Sequence, residues 1–254
     1  MAATQAYPPN VIVRTLIDHF FRYRGLAPAP PGLADEKPVA DFTDDRIIGD
    51  MERFFYVRVD ARVDPRRRAL RGARAWVVIL VLAADGKYSH HSPDLRKLLE
   101  GVEVEQAARA GRLDELIIVA DEVFFSRKNL TDVVREFQAG AAAARQAARA
   151  RGPLSLLLDA NGAAPFYSAH HFHNFVLVIP EHAAVPAHRI MAPAECDALY
   201  ATERLTRDDL PTIYASDPAA IWIGARAGEV VEIVRYSATA GRAVTYRRVE
   251  RGAL

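Results

Sequence analysis

Several groups of residues in this chain have the types and spacing to do chemistry. Metal-dependent phosphodiester cleavage needs clustered carboxylates, with a lysine beside them, to hold the ion and activate water. Ser92-Pro93-Asp94 could pass for one half of such a site. The other half, an acidic-x-Lys arrangement, would be expected on a strand. Its nearest form is Asp35-Glu36-Lys37, which sits in a proline-rich connector upstream. Asp121 and Glu122 follow a strand but have no lysine two positions on. Ser92 and Pro93 read more simply as the N-cap and first position of a helix.

His170, His171 and His173 form a second group, with Cys196 as the one possible thiolate ligand. Structural zinc takes four ligands at firm spacing, commonly as Cys-x-x-Cys pairs, and no such pair occurs. Adjacent histidines also point in different directions on a helix or a strand. The expected role is therefore structural, with no metal and no cofactor. No glycine-rich loop of the phosphate-cradling type lies between a strand and a helix, and Gly224 and Gly228 read as a helix stop and a turn. The third group is cationic: Arg62, Arg66, Arg67, Arg68, Arg71 and Arg74. It falls between two predicted strands, so it is expected to be an exposed loop, held out of regular structure by Pro65. Such a loop could face a nucleic-acid backbone, or remain solvated or pair with an acidic neighbour.

Composition bounds these readings. The chain has 254 residues, of which 50% are apolar and 26% charged, with a formal net charge of +1. It is long enough to bury a core, and no whole-molecule field draws it to nucleic acid, so any such contact must be local. Only four of its 33 basic residues are lysines (Lys37, Lys87, Lys97, Lys128), a bias spread along the whole chain that points to a GC-rich genome. One cysteine excludes an internal disulfide framework. No apolar run reaches the roughly 20 residues of a membrane span. The first ten residues lack the features of a secretory signal.

The elements that must position these groups follow from periodicity. Val11 to Arg24 reads as an amphipathic helix ended by Gly25. A proline-rich connector runs from Pro28 to Pro38. Strands are predicted at Phe54–Val59, Trp76–Leu82, Leu116–Val119, Leu154–Leu158 and Phe175–Ile179, the apolar runs at 76 and 116 being buried on both faces. Helices are predicted at Pro93–Ala110 and Ser126–Arg151. This alternation implies an α/β domain with some parallel pairing. The pattern changes near Ile179-Pro180, which divides the chain into 1–179 and 180–254. The second part reads as α+β. It has a helix at Pro193–Glu203, then another short helix capped by Asp217, begun by Pro218 and closed by Gly224. Strands follow at Val230–Val234 and Val244–Val249, with a loop at Ser237–Gly241.

The second part carries a family resemblance. Its anchors are His182, Val185, Pro186 and His188; Leu210 and Pro211; Asp217 and Pro218; Gly224 and Gly228; Arg235; Ser237, Thr239, Gly241 and Arg242; and Tyr246 and Arg247. Dispersed in this order over some seventy residues, they resemble the C-terminal domain of the fifth-subunit family of eukaryotic RNA polymerases, of which the archaeal H subunit is a single-domain relative. Departures are Ala184 for a leucine, Ala227 for a basic residue, Glu232 for a lysine and Ala238 for an acidic residue. They weaken the basic character of one face.

The first part resembles the eukaryotic members in outline. The opening helix ending at Arg24-Gly25 and the strand Leu116–Val119 fit. The family's Thr-Pro-Ser-Ala loop, close to downstream DNA, corresponds to Phe124-Phe125-Ser126-Arg127, where Ser126 and the following Lys128 match. Extra residues fall between Phe137 and Tyr167. The two-domain form implies a eukaryote or a large DNA virus of eukaryotes, and the divergence and arginine bias tilt toward the virus.

The resemblance implies a jaw domain with a restriction-nuclease-like fold, followed by a small assembly domain. It implies a non-catalytic subunit of a multisubunit DNA-directed RNA polymerase that docks on the largest subunit. Its first domain would lie beside downstream duplex DNA, and nucleotide addition with its magnesium would belong to the large subunits. Arg62, Arg66, Arg67, Arg68, Arg71 and Arg74, with Ser126, Arg127 and Lys128, would then be DNA-proximal. The contact would be non-specific, each neutralised phosphate steepening the salt dependence by about 0.9 log units. The expected location is the nucleus or, for a viral protein, the host nucleus, viral factory or virion. The alternative is a free-standing DNA-binding protein or transcription-regulator adaptor that reuses the second domain.

Overall fold

The computed structural model describes residues 7–28, 42–63, 76–83, 98, 113–122, 124, 129–147, 166–237 and 241–252. The chain divides into two compact units, Met1–Phe21 with Gly25–Val176, and Arg22–Arg24 with Leu177–Leu254. The main division thus falls three residues before the position at which the sequence pattern changes.

The first unit opens with α1 (Pro9–Thr15), which continues through a π-helical turn (Leu16–Phe20) into α2 (Phe21–Arg24). Pro8 and Pro9 start it without cost because the first helical N–H groups have no partner. Ile12, Val13, Leu16 and Phe20 are fully buried. Strand β1 (Leu26–Pro28) follows. Helix α3 (Asp44–Phe54) begins at Thr43, whose hydroxyl accepts from the Arg46 amide. It ends where Phe55 adopts φ 56° and donates its amide to the Met51 carbonyl. Phe54 therefore closes a helix rather than opening a strand, and the strand β2 spans Tyr56–Val63. Arg62 lies on this strand, paired in register with Ala27 and Trp76, and not in the loop expected for it. The alternation of β2 carries on past Val59, so the strand runs four residues further than the apolar run suggests.

β3 (Trp76–Leu82), β4 (Leu113–Ala120) and β5 (Phe166–His171) complete a mixed sheet in the order β1-β2-β3-β4-β5. The pairs β1–β2 and β2–β3 are antiparallel, while β3–β4 and β4–β5 are parallel. Every residue of β4 is buried, the apolar run 116–120 as a strand covered on both faces requires, and Asp114 and Glu115 before it as well. Helix α4 (Asn129–Ala147) covers one face with Leu130, Val133, Val134 and Phe137, which pack on Val78, Leu80, Leu82, Leu116, Ile118 and Tyr167. Gly140 lies inside this helix and does not break it. The strand expected at Phe175–Ile179 is instead a 3-10 turn (Phe172–Phe175) followed by another at Ile179–Glu181. The His171 ring caps the first turn by accepting the His173 amide, so the strand stops at His171, upstream of the apolar run.

In the second unit, β6 (Ala187–Ile190), β7 (Thr212–Tyr214), β8 (Val230–Ser237) and β9 (Gly241–Glu250) form a sheet in the order β6-β8-β9-β7. β8 and β9 are an antiparallel hairpin, and β7 runs parallel to β9. Helix α5 (Pro193–Glu203) and helix α6 (Pro218–Ile223) complete it. α6 starts and stops as its sequence directs. The Asp217 carboxylate accepts the Ala219 amide at 2.8 Å, Pro218 is the first helical residue, and Gly224 ends it at φ 74°. Trp222 at its centre is fully buried.

The arginines at 66, 67, 68, 71 and 74 lie outside the described residues. So do Ser126, Arg127, Lys128 and Thr239, the helix start at Ser92-Pro93, Asp94, Asp35-Glu36-Lys37 and the strand expected at Leu154–Leu158. No helix among the described residues is long and apolar enough to cross a membrane.

Candidate functional site

The residues that carry the resemblance separate into those that build the second unit and those that face out of it. His182 and His188 fasten the turn leading into β6. The His182 ring accepts the Ala184 amide at 3.2 Å, and the His188 Nδ1–H donates to the Pro186 carbonyl at 2.7 Å. Val185 and Pro186, between them, are half-buried. Leu210 joins Met191 and Val230 in a small core that Tyr246, Tyr200 and Leu205 flank. The Pro211 carbonyl accepts the Arg248 amide and so starts the β7–β9 pairing. Gly228, at φ 96°, donates its amide to the Val249 carbonyl and gives its own carbonyl to Arg207. A β-carbon at Gly228 would stand 2.6 Å from that guanidinium.

Arg24 was not foreseen as part of this unit. It is only 8% exposed, and its Nε–H donates to the Ile221 carbonyl at 3.0 Å. A cation at the C-terminal end of α6 adds a second donor to a carbonyl that the Gly224 amide already caps, and it opposes the helix dipole. Its neighbour Tyr23 meets the Trp222 ring edge-on at 5.8 Å, and Arg22 and Tyr23 both bond Glu181. Nothing in the local sequence marks Arg24 as buried, because its partners are about two hundred positions away.

A second unforeseen arrangement joins β6, α5 and β8. Arg189 grips both carboxylate oxygens of Glu195, at 2.9 and 2.8 Å, and reaches Glu232 at 2.9 Å. Glu195 also accepts the Ala192 amide at the start of α5. Hydrogen bonds from Arg189, then from the Ala192 amide, hold the Glu195 carboxyl below the ordinary range. Glu232, which stands where the resemblance implies a lysine, thus has its own cation.

What remains unengaged is at the far end of the β8–β9 hairpin. Arg235 and Arg242 are exposed, and neither has a carboxylate partner among the described residues. The Arg247 side chain donates to the Thr212 carbonyl and has no carboxylate partner among the described residues. Tyr236 is 88% exposed and Val244 39% exposed. Ser237 and Gly241 pair across the hairpin end. Arginine and tyrosine are the residue types that most often dominate protein interfaces.

His188 lies beside this region. Burial first, and then the charges of Arg235 and Arg247, push its pKa down against the opposing pull of Asp217 and the Pro186 hydrogen bond. A partly buried histidine whose folded pKa is lowered takes up a proton more readily on unfolding, so stability is full above its unfolded pKa and is lost as pH falls toward the folded one. The expected result is that chemical denaturation of the second unit shifts to lower denaturant between about pH 7 and pH 5. A His188→Gln variant, read by the same titration, should show a flatter profile over that range.

In the first unit the histidines make local contacts. His171 bonds Glu122 at 2.7 Å and stacks on His173 with ring centroids 4.3 Å apart. The His170 ring is bonded to Ser168. Among the described residues no group of three or more His, Cys, Asp or Glu could hold a metal ion. Arg62 is exposed on β2, and Phe124 packs at the rim of the core beside α4.

Residues 177–249 match the family described as RNA polymerase Rpb5, C-terminal domain. The chain is 31% identical over 173 residues to the DNA-directed RNA polymerase RPB5 homolog of an African swine fever virus isolate, covering 68% of this chain and 72% of that protein. That match is longer than the second unit, so it extends into the first. The DNA-directed RNA polymerases I, II, and III subunit RPABC1 of Caenorhabditis elegans is 44% identical over 88 residues, 34% of this chain and 42% of that protein. The DNA-directed RNA polymerase subunit Rpo5 of Thermofilum pendens is 40% identical over 72 residues, 28% of this chain and 90% of that protein. The second unit, a small α+β unit with a capped helix and a four-stranded sheet, is thus of the Rpb5 C-terminal domain type. The chain belongs to the RPB5 family, the non-catalytic fifth subunits of multisubunit DNA-directed RNA polymerases.

Proposed function

We propose that this protein docks onto the largest subunit of its RNA polymerase through the second unit and places the first unit beside downstream duplex DNA. The observation that carries the docking reading is the distribution of unengaged side chains. Arg235, Arg242 and Tyr236 crowd one end of a hairpin whose Arg248, toward the other end, is paired to Asp208 and Glu250. The family match over residues 177–249 falls on the same unit. The first unit acts as a jaw, its restriction-nuclease-like ancestry supported by a mixed five-stranded sheet with a helix packed on it. Non-specific phosphate contacts come from Arg62 on β2, the arginines that follow it in sequence, and Ser126, Arg127 and Lys128. No residue of the chain takes part in nucleotide addition. The site of action is the nucleus or, for a viral protein, the host nucleus, viral factory or virion.

The test is purification of the tagged chain from its native source in moderately high salt, with partners identified by mass spectrometry. The two largest polymerase subunits should be recovered in near-equal amount, and lost when residues 180–254 are deleted. Recovery of the chain alone, or with unrelated proteins only, would replace this reading with a free-standing DNA-binding protein or adaptor.

A further inference from the structure

The second unit's sheet has an edge that no described strand covers. β7 pairs with β9 only at Arg248–Glu250, so Gly241–Arg247 have a neighbour on the β8 side alone. The direction of each backbone group follows from the hydrogen bonds. The Val249 amide donates to the Glu229 carbonyl, on the β8 side, while the Arg248 amide donates to the Pro211 carbonyl, on the β7 side. Backbone groups alternate sides along an antiparallel pair. Tyr246, Val244 and Arg242, in step with Arg248, therefore turn their N–H and C=O groups away from β8 onto the open edge. These three sets are about 6.8 Å apart, the repeat at which another strand presents its own groups.

The side chains along this edge carry charge that the unit does not neutralise. Arg242, Arg247 and, across the hairpin, Arg235 have no carboxylate partner among the described residues. Arg189 and Arg248 of the same sheet each hold two acids. Val244 stands exposed between Arg242 and the half-buried Tyr246 on one face, and Thr245 and Arg247 lie on the other. An exposed edge with arginines on both faces resists pairing with basic or neutral strands and accepts an acidic one.

We propose that the open edge of β9 over Arg242–Tyr246 receives an extended acidic segment of a partner polypeptide as an added strand. The backbone supplies affinity and the arginines supply selection. The inference rests on the docking reading for the partner's identity, the segment belonging to the polymerase subunit that this unit contacts. A polypeptide is favoured over nucleic acid because only a polypeptide matches the alternating donors and acceptors of the edge.

The experiment uses the full chain and a synthetic peptide, Val-Glu-Val-Glu-Val-Glu-Val, with amide hydrogen exchange as the readout. The peptide should slow exchange at Arg242, Val244 and Tyr246, and the analogue with lysine in place of glutamate should not. Val244→Pro removes one outward N–H and no bond to β8. It should weaken peptide binding about tenfold while leaving the melting temperature unchanged. Arg235→Glu with Arg242→Glu should reverse the preference toward the lysine peptide. The proposal is overturned if neither peptide protects the edge at up to about 1 mM. Equal protection by both peptides, or protection by a short DNA duplex instead, would also overturn it. Purification from the native source separates the two readings. If Val244→Pro recovers the large polymerase subunits as well as the unaltered chain does, the edge inference falls and docking stands. If the peptide protects the edge but no large subunit is recovered from the unaltered chain, docking on that subunit falls and the edge stands as an acceptor of acidic strands.

Discussion

Gly224→Ala should destabilise the second unit by about 2–4 kcal/mol. The left-handed conformation at φ 74° costs an alanine roughly 1–2 kcal/mol by itself. The added methyl would also stand 2.6 Å from Nη1 and 2.7 Å from Cδ of Arg24. An exposed arginine would swing aside at little cost. Arg24 is buried and bonded to the Ile221 carbonyl, so moving it leaves a helix-end carbonyl and a guanidinium without each other. Urea denaturation followed by Trp222 fluorescence would measure the loss, with an unchanged slope showing that the folded state is still compact. Arg24→Ala combined with Gly224→Ala should cost less than the two single losses added together, because the clash disappears with the side chain. A Gly224→Ala variant as stable as the natural chain would show that this close approach is not required.

Arg58→Ala should cost the first unit about 3–5 kcal/mol. Asp60 is buried within the sheet, with its carboxylate 1% exposed, and Arg58 grips it through two hydrogen bonds of 2.7 and 3.0 Å. Both residues lie on β2 and alternate onto the same face, in register with Leu80 and Val78 of the core. Removing the arginine takes both of these hydrogen bonds and their cation from a buried carboxylate. Replacing both residues with leucine should recover most of the loss, since neither charge is then left behind. Hydrogen exchange distinguishes this from a general effect. Amides of β2, β3 and β4 should exchange faster in Arg58→Ala, while those of β8 and β9 keep their protection. Equal acceleration in both sheets would mean that the damage is not local to this pair.

These two pairs also show what a sequence discloses. α6 is legible because its signals are local: Asp217, Pro218 and Gly224 each act within a turn of where they stand. β3 and β4 are legible because a run of apolar residues bounded by polar ones has few other places to go. Phe54 and the Phe175–Ile179 run mislead for the same reason. An apolar run marks burial but not geometry, and an αL residue or a histidine cap decides whether the chain is extended there. α3 has a capped start at Thr43 and apolar residues at helical spacing, Ile47 and Met51, but it is short and rich in charge, so it does not stand out. The docking candidates were partly legible. Arg235, Arg242 and Arg247 were identifiable as arginines, but Arg189 and Arg248 look the same in sequence. What separates them is an acid 43 or 40 positions away, which only the folded chain brings near. Likewise the outward-facing backbone of β9 depends on where β7 stops, and no residue type records that.

The cap that Arg24 places on α6 joins positions 197 apart in the chain. During synthesis Arg24 leaves the ribosome well before Ile221, by about 10–40 s at ordinary elongation rates. The second unit is therefore completed by a residue made long before its own sheet and helices, which lie in the last third of the sequence. A fragment beginning at Leu177 would carry the family's fold pattern but lack its first cation, whereas a nascent chain holds Arg24 in reserve from the start. Completion of the second unit thus depends on the segment around Arg24, and a copy of the chain lacking that segment would have an α6 without this cation.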